Sequence, residues 1–148
     1  MFCSAWNYPL NVAFRKVAPA LVAGNCAILK PSELAGLTCM YLGQLATEAG
    51  IPPGVFSVIP GDGEAGKALS ANPAVMAISF TGSSATGSGN HAGTRLLRDD
   101  VFAAIIANTS ERLGATFLEL GGKSALVVFD DVDTDAAVKT VMNGLLTS

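Results

Sequence analysis

The chain has 148 residues and a net charge of −3, and it is 50% apolar against 14% charged, a length that fits one domain and a composition more apolar than an average soluble domain. It holds no run of Lys and Arg and no basic stripe interleaved with aromatics, which argues against a nucleic-acid surface. Cys3, Cys26 and Cys39 form no CxxC pair and His91 has no companion, so neither a metal site nor a disulfide framework is expected.

In chain order, Pro9 to Ala23 reads as helical, with Pro19 placed at the first turn of a second short helix and Gly24 as the stop. The apolar stretch Val17 to Leu29 is broken by Pro19, Gly24 and Asn25 and is too short to span a bilayer, which takes about 20 residues. The opening MFCSAWNYPL lacks a basic region followed by an apolar one, so no secretory signal is expected and a cytoplasmic location follows. Ala27 to Leu29 reads as a short buried strand ending at Lys30-Pro31. Leu37, Met40, Tyr41, Leu45 and Ala49 then repeat at the period of an amphipathic helix closed by Gly50.

Val55 to Ile59 is the next expected strand, Gly61 to Gly66 a glycine loop, Glu64 to Asn72 a short helix, and Val75 to Phe80 a strand running into Thr81-Gly82-Ser83. Ser88 to Gly114 is atypical: Gly89 and Gly93 disfavour a helix, while Val101 to Ala107 is apolar enough to cover the sheet, so Ser88 to Arg95 is expected to be irregular. Strands follow at Ala115 to Leu120 and Leu126 to Phe129, and Asp133 or Thr134 caps a final helix. Strands alternating with helices at this spacing imply an α/β fold: a Rossmann-like open parallel sheet with helices on both faces. The high apolar fraction implies that much of its surface meets another domain or subunit.

Parallel sheets place ligands outside the carboxyl ends of their strands. The informative residues are therefore Lys30-Pro31-Ser32-Glu33, Gly61-Asp62-Gly63, Thr81-Gly82-Ser83 and Glu119-Leu120-Gly121-Gly122, which gather along one edge. Gly61 to Gly66 matches GxGxxG, but the acid expected about 20 residues downstream is absent, so it reads either as a weak dinucleotide fingerprint or as a turn where the backbone comes close to something. Gly82 to Gly87 has the spacing of a phosphate loop, with Ser88 where a P-loop needs lysine. That disfavours a P-loop NTPase, although small residues can still hold a pyrophosphate on backbone N–H groups. Lys30 and Glu33 form either an adenosine-ribose site or a surface ion pair with Ser32 as a helix cap. Asn7 either caps the first helix or points its amide at a developing oxyanion. Glu119, a lone carboxylate in the run Thr116 to Leu120, is either a residue pointing outward from a strand end or a general base with a raised pKa.

Taken together, AWNYP at 5–9, RKVAPALVAGNCAILKPSE at 15–33, EAGIPPGVFSVIPG at 48–61, SFTGSSATG at 79–87 and LELGGKS at 118–124 resemble the NAD(P)-dependent aldehyde dehydrogenase family. The resemblance implies a partial NAD-binding domain over residues 1–148, an incomplete form of that family's fold. It implies catalytic roles for Glu119 as the general base and Asn7 as the oxyanion amide, with Lys16 supporting. Cofactor binding would fall to Trp6, Lys30, Ser32, Glu33, Gly63, Gly82, Ser83, Thr86 and Leu120. NAD is the implied cofactor, favoured over NADP because the Glu33 carboxylate would repel a 2′-phosphate. A small aldehyde is the implied substrate, with a lean toward betaine aldehyde and related trimethylammonio-aldehydes, and the full-length form is expected to be a homodimer or homotetramer.

Two features depart from the family pattern. The family's nucleophilic cysteine would fall near position 153, so the isolated chain is expected to be inactive, or to be a non-catalytic nucleotide-binding fragment. The interval from Ser83 to Glu119 is also about a dozen residues longer than the family usually has.

Overall fold

The computed structural model describes residues 1–82, 105, 107–110, 114–122 and 125–146. Its centre is a five-stranded sheet of β1 (Phe2–Cys3), β2 (Ala27–Lys30), β3 (Phe56–Val58), β4 (Ala77–Thr81) and β5 (Ala115–Glu119), in the order β3-β2-β1-β4-β5 and parallel throughout. Helices α1 (Pro9–Val22), α2 (Gly36–Glu48) and α3 (Gly63–Ala71) make the crossovers, and α4 (Thr134–Leu146) ends the chain.

β1 is the element that sequence reading missed. Two residues carry no legible period, yet the strand lies at the centre, with Phe2 paired to both Leu29 and Ser79. The ladder continues beyond its two residues, since the Ser79 N–H donates to the Met1 carbonyl and the Ser4 N–H to that of Lys30. Alternation along β1 divides the core in two. Phe2 packs with Ala13 and Val17 of α1, Ala27 and Leu29 of β2 and Cys39 of α2 on one face. Met1 and Cys3 pack with Val75, Ile78, Ile105 and Leu69 of α3 on the other. The expected helices on both faces are thus present.

Pro19 starts no second helix. It lies within a single α1, near the C-terminal end, where its missing N–H removes one bond without stopping the chain. Pro9 occupies the helix start, and Ala13, Val17 and Leu21, spaced by four, lay one stripe on the sheet. The stop falls at Gly24 as expected: its φ is 79°, its N–H donates to Leu21 and the Asn25 N–H to Ala20, the paired bonds of a Schellman motif. α2 ends the same way at Gly50, with bonds from Gly50 to Thr47 and Ile51 to Ala46.

Two further expectations change. Residues 125–129 form no strand and pair with no strand among the described residues; an apolar run becomes β only where a ladder accepts it. β5, whose apolar run Thr116 to Leu120 reads in sequence as a buried strand, is an edge strand among the described residues, with Phe117 64% exposed. The expected cover from Val101 to Ala107 lies mostly outside the described residues, as does Ser88 to Arg95. Ile105, fully buried against Ile78, and residues 107–110 are helical.

Candidate active site

The chain winds outward from β1 to β3 and returns to add β4 on the other side of β1, so the order reverses between β1 and β4. A crevice at the carboxyl edge belongs at such a reversal. The loops after β1 and β2 are tied together there, with the Ser4 N–H donating to Lys30 at 3.1 Å and the Ser32 N–H to Ser4 at 3.0 Å.

Lys30 ends β2 with its side chain nearly buried, and its Nζ stands 4.0 Å from Oε2 of the exposed Glu33. The ion pair of the simpler reading therefore exists, but Ser32 is no helix cap. Its Oγ accepts from the Leu34 N–H within a turn, while Ala35 is the residue that precedes α2. The loop leaves a cation and a carboxylate side by side at the edge, one fixed by burial and one open to solvent.

The glycine loop after β3 explains itself locally. A Cβ on Gly61 would come within 2.6 Å of the Ala65 side chain, so the close approach is to its own helix. Asp62 caps α3 by accepting from Glu64 at 3.0 Å and Ala65 at 3.5 Å. Its carboxylate thereby satisfies the N–H groups an anion would need, and Gly63 is the first residue of that helix, half-exposed.

Beside the reversal, Asn7 and Trp6 lie exposed after β1. Asn7 does not cap α1: Tyr8 holds that position and no side chain bonds the first turn. The Asn7 amide makes no hydrogen bond within the described residues, which leaves its N–H groups available to a ligand. After β4 comes Gly82, where a Cβ would lie 2.6 Å from the Phe80 ring. Ser83 and Thr86 lie outside the described residues.

Glu119 closes β5 opposite Thr81, exposed, with Leu120 following it into solvent. Oε2 of Glu119 accepts from Thr81 Oγ1 at 3.1 Å, and its carbonyl accepts from the Gly82 N–H at 3.1 Å. Lys16, from the sheet-facing side of α1, donates to the Cys3 carbonyl at 3.3 Å. Burial pushes its ammonium below the usual lysine value, while the charges of Cys3 and Glu119 pull it back up. Sequence reading placed Thr81 in the right loop but gave it no role. The signal was a hydroxyl immediately before Gly82 on the strand that neighbours β5.

The three thiols are poorly placed for this edge. Cys3 and Cys39 are buried, with their pKa values raised by burial; at Cys3 the charges of Lys30 and Lys16 oppose that rise. Cys26 is exposed but precedes β2, at the opposite end of the strands. Among the described residues no group of His, Cys, Asp or Glu could hold a metal ion, and no helix is long and apolar enough to cross a membrane.

A parallel sheet in this order, with a Lys–Glu pair at one end of its carboxyl edge and a carboxylate three strands away, has the architecture of an open, doubly wound α/β domain. The aldehyde dehydrogenase family matches over residues 1–148, and the chain belongs to that family. Betaine aldehyde dehydrogenase 1 of Oryza sativa subsp. japonica is 50% identical over 140 residues, covering 94% of this chain and 25% of that protein. A peroxisomal aminoaldehyde dehydrogenase 2 of Pisum sativum is 49% identical over the same shares. Among solved structures, an aldehyde dehydrogenase from Bartonella henselae superposes with a TM-score of 0.81 at 39% identity, covering 99% of this chain and 28% of that one. A betaine aldehyde dehydrogenase from Staphylococcus aureus in complex with NAD+ gives 0.79 at 34% identity, over 97% and 26%. The chain thus spans about a quarter of the length of these relatives.

Proposed function

We propose that this chain supplies the cofactor edge and the general base of an enzyme that oxidises an aldehyde to a carboxylic acid with NAD+. The observation that carries the reading is Glu119 at the carboxyl end of β5, in the sheet whose reversal also brings Asn7 to that edge. β2 and β5 are three strand spacings apart, about 14 Å, which suits an extended dinucleotide running from Lys30 and Glu33 toward Glu119. The residues present fit such a ligand: the Lys30–Glu33 pair offers a donor and an acceptor for ribose hydroxyls, and Gly82 leaves the Phe80 ring and the backbone room that a side chain would take.

In this reading Ser32 and Trp6 flank the ribose end, Gly63 lines the cofactor cleft, Gly82 and Ser83 belong to the diphosphate loop, Thr86 serves the adenine, and Leu120 borders the nicotinamide. NAD+, held by these residues, would supply the hydride acceptor. Asn7 donates its amide to the oxygen of the carbonyl under attack. Glu119 then takes a proton from water as the water oxygen bonds to the thioester carbon, and the thiolate leaves with the electrons of the C–S bond. None of the three cysteines of this chain suits the nucleophile, so the thiol comes from elsewhere in the full enzyme, and the 148 residues alone bind nucleotide without turnover. Similarity to a betaine aldehyde dehydrogenase and an aminoaldehyde dehydrogenase supports betaine aldehyde or an aminoaldehyde as substrate.

Joined to the remaining segments of the rice relative, the chain should produce NADH from betaine aldehyde. In that joined enzyme Glu119→Gln should lower steady-state turnover at least about a hundredfold while sparing the first-turnover burst of NADH. Unchanged turnover in Glu119→Gln would sink the assignment of the base. NADH formation by the 148 residues alone would sink the assignment of the thiol.

A further inference from the structure

We infer that Thr81 is the positioning residue for the Glu119 carboxylate, an inference that rests on reading Glu119 as the base. β4 and β5 stay in register through five pairs, the last setting Thr81 opposite Glu119. Both side chains therefore leave the same face of the sheet at the same level, about 4.8 Å apart. The Gly82 N–H, donating to the Glu119 carbonyl at 3.1 Å, carries the ladder past this pair and holds the backbone of Glu119. Thr81 Oγ1 then donates to Glu119 Oε2 at 3.1 Å.

Among the described residues no other group donates to that carboxylate. Lys16, the nearest candidate, directs its Nζ at the Cys3 carbonyl and forms no ion pair with Glu119. A β-branched threonine is stiff at χ1, so the strand itself sets the direction of the hydroxyl. An exposed glutamate has several free torsions, and on a bare strand end it would sample many positions. One bond from a stiff neighbour selects among them. With Oε2 engaged, Oε1 is the oxygen left to take a proton from water, so the threonine decides which oxygen acts and where it stands.

Two variants separate the hydroxyl from the side chain's shape: Thr81→Val keeps the branching and drops the donor, and Thr81→Ser keeps the donor. In the isotopically labelled 148-residue chain, scalar couplings report the χ1 of Glu119. A single rotamer is expected in the unaltered chain and in Thr81→Ser, with averaging in Thr81→Val. Averaging in the unaltered chain, or one rotamer persisting in Thr81→Val, would overturn the inference.

In the joined enzyme, Thr81→Val should lower kcat about tenfold, with KM for the aldehyde and the rate of the first NADH burst unchanged. Thr81→Ser should recover most of the loss. A slowed burst would place Thr81 at the hydride step and overturn the inference, as would a Ser variant as poor as Val. If Glu119→Gln leaves turnover unchanged, the base reading fails by itself, while the couplings still decide whether Thr81 holds the carboxylate.

Discussion

Cys3, Cys39 and Cys26 carry the same thiol into three surroundings. Burial raises the pKa at Cys3, against the pull of the Lys30 and Lys16 charges, and burial alone raises it at Cys39. The thiolate is the nucleophile, so a raised pKa protects both beyond what steric shielding provides. Iodoacetamide should therefore label Cys26 first in the folded chain, and raising the pH through the ordinary thiol range, about 8.5, should not bring Cys3 or Cys39 forward until denaturant is added. Peptide mapping of a labelling time course checks this; Cys3 modified as fast as Cys26 would contradict the burial argument. The same scale shows what the sequence concealed. Glu119 stood out as a charge in an apolar run, but its partner Thr81 lies 38 residues away. Only the register of two parallel strands brings the two together. Asn7 was ambiguous for the opposite reason, since the residue types allowed a cap and only the backbone shows that Tyr8 takes that place.

The elements were most legible where local chemistry punctuates the chain. Gly24 and Gly50 marked two helix ends, and both ends fall there because each glycine adopts a positive φ that lets two N–H groups reach back to helix carbonyls. Asp133 marked one helix start, its carboxylate accepting from the Ala136 N–H at 2.9 Å, whereas the Asp62 cap of α3 went unread inside the glycine loop. β1 and residues 125–129 went wrong because strands are defined by partners. Two residues at the centre of a sheet carry no period, and an apolar run without a neighbour forms no ladder. A Cβ at Gly24 or Gly50 would meet nothing within 4 Å, so substitution there tests conformation alone. Gly24→Ala and Gly50→Ala should each destabilise by about 1–2 kcal/mol, the left-handed penalty for an L-residue, with Asn in place of Ala recovering part of it. Chemical denaturation curves with unchanged m-values would check the pair. A cost near zero would mean that the helix ends rearrange.

For the whole molecule, the composition already indicated a surface meant to be covered, and the structure localises one such surface. The core clusters lie under α1 and α2 on one face of the sheet and beside α3 on the other, whereas α4 buries none of its residues. Phe117 of β5 is exposed, as are the run Leu126 to Phe129 and Val138, Val141, Leu145 and Leu146 of α4. Between residues 126–129 and α4 lies an apolar groove of about 330 Å³. Among the described residues β5 is also a sheet edge, whose free backbone side invites another strand. Relatives about four times as long have the chain to cover such a surface. Alone, these 148 residues should self-associate through these surfaces, because an edge strand offers ladder bonds and the exposed apolar side chains offer burial. Sedimentation velocity should show a weight-average mass that rises with concentration, and Phe117→Lys combined with Phe129→Lys should lower it toward the monomer. Leu37→Lys, on α2 far from β5 in the strand order and 83% exposed, should leave it unchanged. A chain that stays monomeric over the whole concentration range, or one whose association responds to Leu37 and not to Phe117 and Phe129, would show that these are not the surfaces the fold leaves open.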